Sequence, residues 1–208
     1  MPITDQPSSV SYQEEVRRVA GRSMTHLGAT RLTPDALTAA GVLLCLAGAV
    51  LVYFETHGWG FFLAGSAAFV LGSVLDILDG ALARTSGKGT QFGAFLDSTV
   101  DRVGEAFMLG AIALVLMRDG SEWGVALTFA ALAGSFLVSY TRSKAEGMGL
   151  RGDVGRFGTR AERVTVIAVG LALAPLGGLP WAMAFLTLTA WVTAIQRVLS
   201  VRAQLHQR

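Results

Sequence analysis

The sequence is poor in charged residues and in cysteine, and each shortage excludes a class of protein. Charged side chains make up 15% of the 208 residues, whereas soluble domains carry roughly 25%. The single cysteine, Cys45, excludes an internal disulfide, and its place in an apolar run suggests a packing role. The hydrophobic fraction is 52% and the mean hydropathy is +0.51. This composition predicts a membrane protein.

Apolar runs long enough to cross a bilayer recur along the chain. About 20 apolar residues cross the hydrocarbon core as a helix. Six runs are candidates, of which the fifth is the shortest: about 36–54, 61–83, 94–117, 123–144, 163–175 and 181–199. The predicted fold is therefore an all-α integral membrane protein, with one six-helix membrane domain over residues 31–208. Small residues such as Gly104 and Gly110 are expected to allow close helix packing.

Residues 1–30 form a separate N-terminal region in this prediction. Residues 1–9 are polar and contain two prolines, which indicates a loose tail. Ser11 and Glu14 have the spacing of a capping box, and the apolar residues behind them fall roughly on one helical face. We therefore expect an amphipathic juxtamembrane helix that lies on the membrane surface. No basic leader with a short apolar run and a cleavage site is present, so no signal peptide is expected.

Basic residues are distributed asymmetrically about the predicted spans. Of the 17 lysines and arginines, all but Arg118 map to one side of the six-span arrangement. The positive-inside rule places that side, with both termini and residues 76–101, at the cytoplasmic face of the cell (inner) membrane. Trp59, Trp123 and Trp181 fall at the opposite ends of the spans, where an aromatic belt is expected.

Four aspartates within residues 76–101 form two closely spaced pairs, Asp76 with Asp79 and Asp97 with Asp101. Spacings of three and four residues place each pair on one face of a helix. Ionised carboxylates in a membrane cost about 2.5–3.5 kcal/mol each, so they are usually paired, liganded or functional. Carboxylate oxygens suit Mg²⁺, Mn²⁺ or Ca²⁺. A divalent-metal site at the membrane edge is the prediction, and surface aspartates that cap helices are the alternative. Glu105 continues the face of the second pair, and it could tune the site or pair with an arginine.

The aspartates belong to a longer pattern of fixed spacing, which runs Asp76-x2-Asp79-Gly80-x2-Ala83-Arg84-x8-Gly93-x3-Asp97-x3-Asp101. At every fixed position this resembles the motif of the CDP-alcohol phosphotransferases, also called CDP-alcohol phosphatidyltransferases. The resemblance implies a homodimeric membrane enzyme with two metal ions, Mg²⁺ or Mn²⁺. In that family, Asp76, Asp79 and Asp97 are expected to hold one ion, and Asp76, Asp97 and Asp101 to help hold the second. Asp101 is also expected to be the general base.

A second group of residues is implied to bind the CDP-lipid. Asp35 and Thr38 begin the first span, level with the aspartates. Alone, this pair is equally well read as a helix cap followed by a buried threonine. The resemblance implies that the pair contacts the cytidine and that Gly80, Arg84 and Thr90 complete the pocket. Asp35 stands where the family more often has asparagine, and it matches the branch that handles inositol phosphate.

Five basic residues lie at helix ends on the predicted cytoplasmic side: Arg142, Lys144, Arg160, Arg163 and Arg197. Positive-inside topology and attraction to anionic lipid headgroups would explain them without a site. Cationic side chains beside a metal site also suit a phosphorylated acceptor. The segments SYTRSKAEGMGLRGD, RAERV and QRV resemble the bacterial phosphatidylinositol phosphate synthase branch of the family. That resemblance implies that these cations bind the phosphate of inositol phosphate.

The expected reaction is transfer of a phosphatidyl group from CDP-diacylglycerol to a hydroxyl of 1D-myo-inositol 3-phosphate (L-myo-inositol 1-phosphate), with release of CMP. Glycerol 3-phosphate, which is also an anion, is the close alternative acceptor. Two other functions are alternatives, a membrane prenyltransferase and a transporter. A membrane prenyltransferase normally has two aspartate-rich motifs in a longer chain. A metal- or proton-coupled transporter predicts carboxylates near the midplane and two related halves. The expected partners are the lipid bilayer and a second copy of the chain, and no nucleic acid.

Overall fold

A computed structural model describes residues 34–86, 90–152 and 159–207, and the side chains within them except those of residues 34, 35 and 81–86. In these ranges the regular structure is entirely helical, which confirms the all-α prediction for this part of the chain. The six α-helices are α1 (Pro34–Tyr53), α2 (Gly60–Ser86), α3 (Gln91–Arg118), α4 (Glu122–Gly147), α5 (Arg160–Ala172) and α6 (Leu179–His206). Short 3₁₀ turns, Glu55–His57 and Ala174–Leu176, precede α2 and α6. The tail and amphipathic helix expected in residues 1–30 lie outside the described residues.

Four of the six helices are long and apolar enough to cross a membrane, through Ala36–Tyr53, Gly60–Gly80, Glu122–Gly147 and Leu179–His206. These four make the chain a multi-pass membrane protein. Helix α3 does not qualify by composition because Asp97, Asp101, Arg102 and Glu105 lie in its first half. Helix α5 has only 13 residues, which rise about 20 Å against a hydrocarbon core of about 30 Å.

Glycines bring the backbones of α1 and α2 into direct contact. A Cβ atom on Gly72 would lie 2.5 Å from the carbonyl oxygen of Gly41, and one on Gly48 would lie 2.7 Å from that of Gly65. Small residues permit this close approach between helices in a membrane. Because residue 41 meets 72 and residue 48 meets 65, the two helices are antiparallel. The start of α1 therefore lies beside the end of α2 that carries the first aspartate pair.

Cys45 lies where α1, α2 and α3 meet, and it is 2% exposed. Its Cβ atom lies 3.0 Å from the position that a Cβ atom on Gly104 would take. The packing roles predicted for Cys45 and Gly104 are therefore confirmed. The same prediction for Gly110 is wrong for the part of the chain that the structure describes, because no heavy atom lies within 4 Å of an added Cβ atom there. Gly110 instead borders an open apolar groove of about 740 Å³ between α1, α3 and α4.

The apolar core occupies the half of the bundle away from the aspartates. It contains large buried side chains from most of the helices: Val52, Phe69, Met108, Ile112, Ile167, Leu171, Met183 and Leu186. At the end of the bundle opposite the aspartates, α3 makes polar contacts. There Arg118 lies 3.2 Å from a carboxylate oxygen of Glu55, and it donates a 2.7 Å hydrogen bond to the carbonyl of Tyr53. The polar first half of α3 therefore lies at the opposite end of the bundle, together with the end of α2 and the start of α5.

Candidate active site and metal centre

Three of the four predicted carboxylates converge at this polar end. Asp76 comes from α2, while Asp97 and Asp101 lie one turn apart on α3. Each offers one oxygen, and these oxygens all lie within 4.8 Å of one another. The side chains of Asp76 and Asp101 are only 11% and 16% exposed. Such a cluster of partly buried carboxylate oxygens fits the ligand preference of Mg²⁺ or Mn²⁺.

Asp79, the fourth predicted ligand, has a different contact. It is 2% exposed, and its Oδ2 atom accepts a hydrogen bond from the hydroxyl of Thr38 on α1. It is not one of the three carboxylates that converge. The structure thus joins a predicted metal ligand directly to a residue of the predicted CDP-lipid pocket.

The other predicted pocket residues are placed only in part. Thr90 is the N-cap of α3, where its hydroxyl accepts a 2.9 Å hydrogen bond from the backbone N–H of Gly93. Gly80 is half-buried on α2, directly after Asp79. Asp35 and Arg84 lie on α1 and α2, but their side chains lie outside the described part.

Arg160 brings positive charge into the carboxylate cluster. Its Nη1 atom contacts both Oδ2 of Asp76 and Oδ1 of Asp101. Arg160 is the first residue of α5, and a capping box fixes where that helix begins. Thr159 accepts from the N–H of Glu162 at 3.3 Å, and the Glu162 carboxylate accepts from the N–H of Thr159 at 3.0 Å. One of the five predicted basic residues therefore lies at the cluster itself.

Arg163 forms a buried, bidentate ion pair with Glu105. Its Nε atom lies 2.7 Å from Oε1 and its Nη2 atom 2.8 Å from Oε2. The side chains are 8% and 10% exposed. The pairing of Glu105 with an arginine is thus confirmed. Sequence patterns could not identify which arginine, because 58 residues separate the partners.

The remaining predicted cations lie on α4 and α6. Arg142 makes an exposed 2.9 Å ion pair with Glu146, and Lys144 is exposed. Arg197 is buried, 8% exposed, and donates to the carbonyl of Val138 on α4. It therefore ties α6 to α4 near the α4 terminus that carries the other two cations.

Comparison with known proteins identifies the class of enzyme. Residues 31–202 match the family model described as CDP-alcohol phosphatidyltransferase. The chain belongs to this family, and it is accordingly a metal-dependent transferase of phospholipid synthesis. The family match removes the prenyltransferase and transporter alternatives.

Several relatives and solved structures similar to this chain are named as inositol phosphate lipid synthases. The archaetidylinositol phosphate synthase of Pyrococcus horikoshii is 36% identical over 187 residues, which cover 89% of this chain and 90% of that protein. A crystal structure of Mycobacterium tuberculosis phosphatidylinositol phosphate synthase with CDP-DAG bound has a TM-score of 0.77 and 31% identity, and the match covers 88% of this chain and 94% of that one. The same enzyme in complex with manganese and citrate has a TM-score of 0.73 and 32% identity, covering 88% and 87%.

Proposed function

We propose that this protein transfers the phosphatidyl group of CDP-diacylglycerol to a hydroxyl of a phosphorylated polyol and releases CMP. The observation that carries the proposal is the convergence of Asp76, Asp97 and Asp101 with Arg160 at one end of the bundle. A related enzyme of the same fold has been crystallised with CDP-DAG, which supports that lipid as the donor.

Asp76, Asp97 and Asp101 would hold divalent cations, with Asp79 as a fourth ligand and two ions in total. The relative crystallised with manganese supports Mn²⁺ or Mg²⁺ as the metal. When bound, such cations supply positive charge that neutralises the pyrophosphate of the donor. Asp79 is already oriented by Thr38, and a ligand carboxylate held by its own hydrogen bond is typical of metal sites.

Asp101 is proposed as the general base. Its carboxylate faces the cluster from α3 and takes the proton of the acceptor hydroxyl during attack. The acceptor oxygen forms a bond to the lipid-side phosphorus of the donor. The bond from that phosphorus to CMP breaks, and CMP leaves with the electron pair.

Asp35, Thr38, Gly80, Arg84 and Thr90 are proposed to hold the cytidine and phosphates of the donor. The contact between Thr38 and Asp79 supports this placement, because it sets the start of α1 against the motif helix. Gly80 follows Asp79 directly and would let the donor approach the backbone of α2.

The acceptor's own phosphate is proposed to meet the basic residues, with Arg160 at the carboxylates and Arg142, Lys144, Arg163 and Arg197 around it. Inositol phosphate is the first choice of acceptor, because relatives named for inositol phosphate lipids align along most of the chain. Glycerol 3-phosphate is the second candidate, since its phosphate presents the same charge to these cations.

We further propose that α3 and α5 complete a six-span domain and that residues 1–30 lie on the membrane surface. The excess of lysine and arginine on one side favours an active site that faces the cytoplasm of the cell membrane. Family resemblance favours a homodimer. Accessibility of cysteines introduced near residue 88 and near residue 120, in intact cells, tests the orientation.

The test of the reaction is CMP release by the purified protein. It is supplied with radiolabelled CDP-diacylglycerol, Mg²⁺ or Mn²⁺, and each acceptor separately. Release that requires inositol phosphate supports the proposal, and release driven only by glycerol 3-phosphate moves the assignment to the second candidate. An enzyme that releases no CMP with any phosphorylated polyol would contradict the proposed function.

A further inference from the structure

Cys45 of α1 lies between α2 and α3, and it packs against a glycine on each of them. A Cβ atom on Gly72 of α2 would lie 2.7 Å from the Cys45 Sγ atom, and one on Gly104 of α3 would lie 3.0 Å from the Cys45 Cβ atom. Because Cys45 is only 2% exposed, its side chain fills the space between these two backbones.

Each of the two glycines shares a helix face with a proposed metal ligand. Gly72 precedes Asp76 by four residues and Gly104 follows Asp101 by three, and residues at these spacings lie one above the other. Helix α2 ends and α3 begins at the end of the bundle that carries the carboxylates. Both glycines therefore lie on the same side of the cluster, about 4.5–6 Å from it along the helices. The Cys45 side chain forms the floor beneath the carboxylates.

The separation of α2 from α3 at this floor depends on α1. The two helices pack on α1 far more than on each other. Gly41, one turn before Cys45, already meets the backbone of α2, since a Cβ atom there would lie 2.9 Å from the carbonyl oxygen of Gly72. The thiol also donates a weak hydrogen bond of 3.8 Å to the carbonyl of Phe69 on α2. With α1 fixed against α2, the width of the Cys45 side chain sets how closely α3 approaches.

The separation of the two helices decides which ions fit between them. Asp76 comes from α2, whereas Asp97 and Asp101 come from α3, and one oxygen of each lies within 4.8 Å of the others. Mg²⁺ demands oxygen ligands at about 2.0–2.1 Å in near-octahedral geometry, whereas Ca²⁺ accepts about 2.3–2.6 Å in a flexible arrangement. Close-packed helices transmit a change in spacing, so a wider floor moves Asp76 away from the other two ligands. A wider site favours the larger ion.

We propose that Cys45 is a positioning residue that sets the separation of α2 and α3, and thereby the selectivity of the carboxylate cluster for Mg²⁺ and Mn²⁺ over the larger Ca²⁺. This inference rests on the proposed function, since it takes the carboxylates as metal ligands. Cys45 does not bind the ion, and it acts through its contacts with Gly72 and Gly104. A packing role alone would change the stability of the protein and leave its choice of metal unchanged.

The test measures Mn²⁺ binding to the purified full-length protein by electron paramagnetic resonance, with Mg²⁺ or Ca²⁺ added as a competitor. Cys45→Val adds one heavy atom to the floor, and Gly104→Ala adds a methyl group to the same contact from α3. The double variant Cys45→Gly/Gly104→Ala removes both Cys45 atoms that this methyl group would meet.

Gly48→Ala is the matched control for these variants. Its added methyl group would lie 2.7 Å from the carbonyl oxygen of Gly65, and the three atoms nearest to it all belong to α2. It therefore overpacks the contact between α1 and α2 without touching α3. Thermal unfolding of every variant is measured in the same detergent.

Cys45→Val and Gly104→Ala are each expected to weaken Mg²⁺ binding at least about fivefold while Ca²⁺ binding changes less than about twofold, because Mg²⁺ tolerates longer ligand distances poorly. The double variant is expected to bring the ratio of the two affinities back to within about twofold of the wild type, since its two changes act on one contact. Gly48→Ala is expected to lower the unfolding temperature and to keep the wild-type ratio. If Cys45→Val does not fold, Gly104→Ala and the double variant carry the same comparison.

An unchanged ratio of Mg²⁺ to Ca²⁺ affinity in Cys45→Val and Gly104→Ala would overturn the positioning role and leave the proposed function standing. So would an equal change of that ratio in Gly48→Ala, because it would assign the effect to general loosening of the bundle. A wild type that binds none of the three ions would overturn both this inference and the metal centre proposed above.

Discussion

The hydroxyl of Thr38 donates a hydrogen bond to Oδ2 of Asp79, across the contact between α1 and α2. Both side chains are buried, at 8% and 2% exposed. The contact links the first span to the aspartate motif, which is some 40 residues further along the chain. It also places the proposed donor pocket and the proposed metal centre side by side.

Removal of this hydroxyl is expected to weaken donor binding and the fold together. A hydrogen bond to a charged group contributes about 1.5–3 kcal/mol, so Thr38→Val should lower stability by an amount of that order and raise the KM for CDP-diacylglycerol. Thr38→Ser keeps the hydroxyl and is the control. Equal unfolding temperatures and equal KM values for the two variants would contradict the role of this bond.

The glycine contact between α1 and α2 is expected to be intolerant of a single methyl group. A Cβ atom on Gly72 would lie 2.5 Å from the Gly41 carbonyl oxygen and 2.7 Å from the Cys45 sulfur. Overpacking of this kind typically costs about 1–3 kcal/mol, so Gly72→Ala should lower the unfolding temperature in detergent. Gly110→Ala adds the same methyl group where nothing described lies within 4 Å, and it should unfold like the wild type. A fall of the same size in both variants would contradict the close packing.

Loss of the proposed base should abolish turnover without unfolding the protein. Asp101→Asn keeps the size of the side chain but cannot accept a proton. CMP release is expected to fall by at least about 10²-fold, the lower end of general base contributions. Asp119→Asn, at the far end of the same helix, is the control and should retain full activity. Near wild-type release by Asp101→Asn would assign the base to another group.

The cap of α5 is expected to matter more than other threonines on that helix. Thr159→Ala removes the acceptor for the N–H of Glu162, and loss of an N-cap costs about 0.5–2 kcal/mol. Thr165 is exposed, and its hydroxyl donates to the carbonyl of Ala161 within its own helix, so Thr165→Ala is the control. Unfolding by heat in the same detergent measures both. Indistinguishable unfolding temperatures would show that the cap does not limit stability.

Local patterns were sufficient to predict the helices and the aspartate cluster. Asp97 and Asp101 share a helix face by spacing alone, and the fixed motif identified Asp76 as their partner on the preceding helix. Cys45 was predictable as a packing position because it lies within an apolar run, whereas small size alone predicted Gly104 correctly and Gly110 wrongly. These predictions depend on residues close in sequence or on one continuous motif.

Contacts between distant segments were not predictable. Arg160 meets Asp76 across 84 residues, and sequence shows only that both are charged. The resemblance predicts Arg163 at the acceptor phosphate, but no sequence pattern indicates its ion pair with Glu105. The apolar runs predict that α3 and α5 also span the membrane. Length and composition do not support this prediction, because α3 carries several charged residues and α5 is short.

Mn²⁺ binding to the purified protein, followed by electron paramagnetic resonance, tests the central claim most directly. The wild type should bind two ions, while Asp76→Asn on α2 and Asp97→Asn on α3 should each weaken binding by at least about tenfold, as loss of a charged ligand implies. Asp119→Asn should bind like the wild type. Unchanged Mn²⁺ affinity in both Asp76→Asn and Asp97→Asn would contradict a metal centre formed by these two helices.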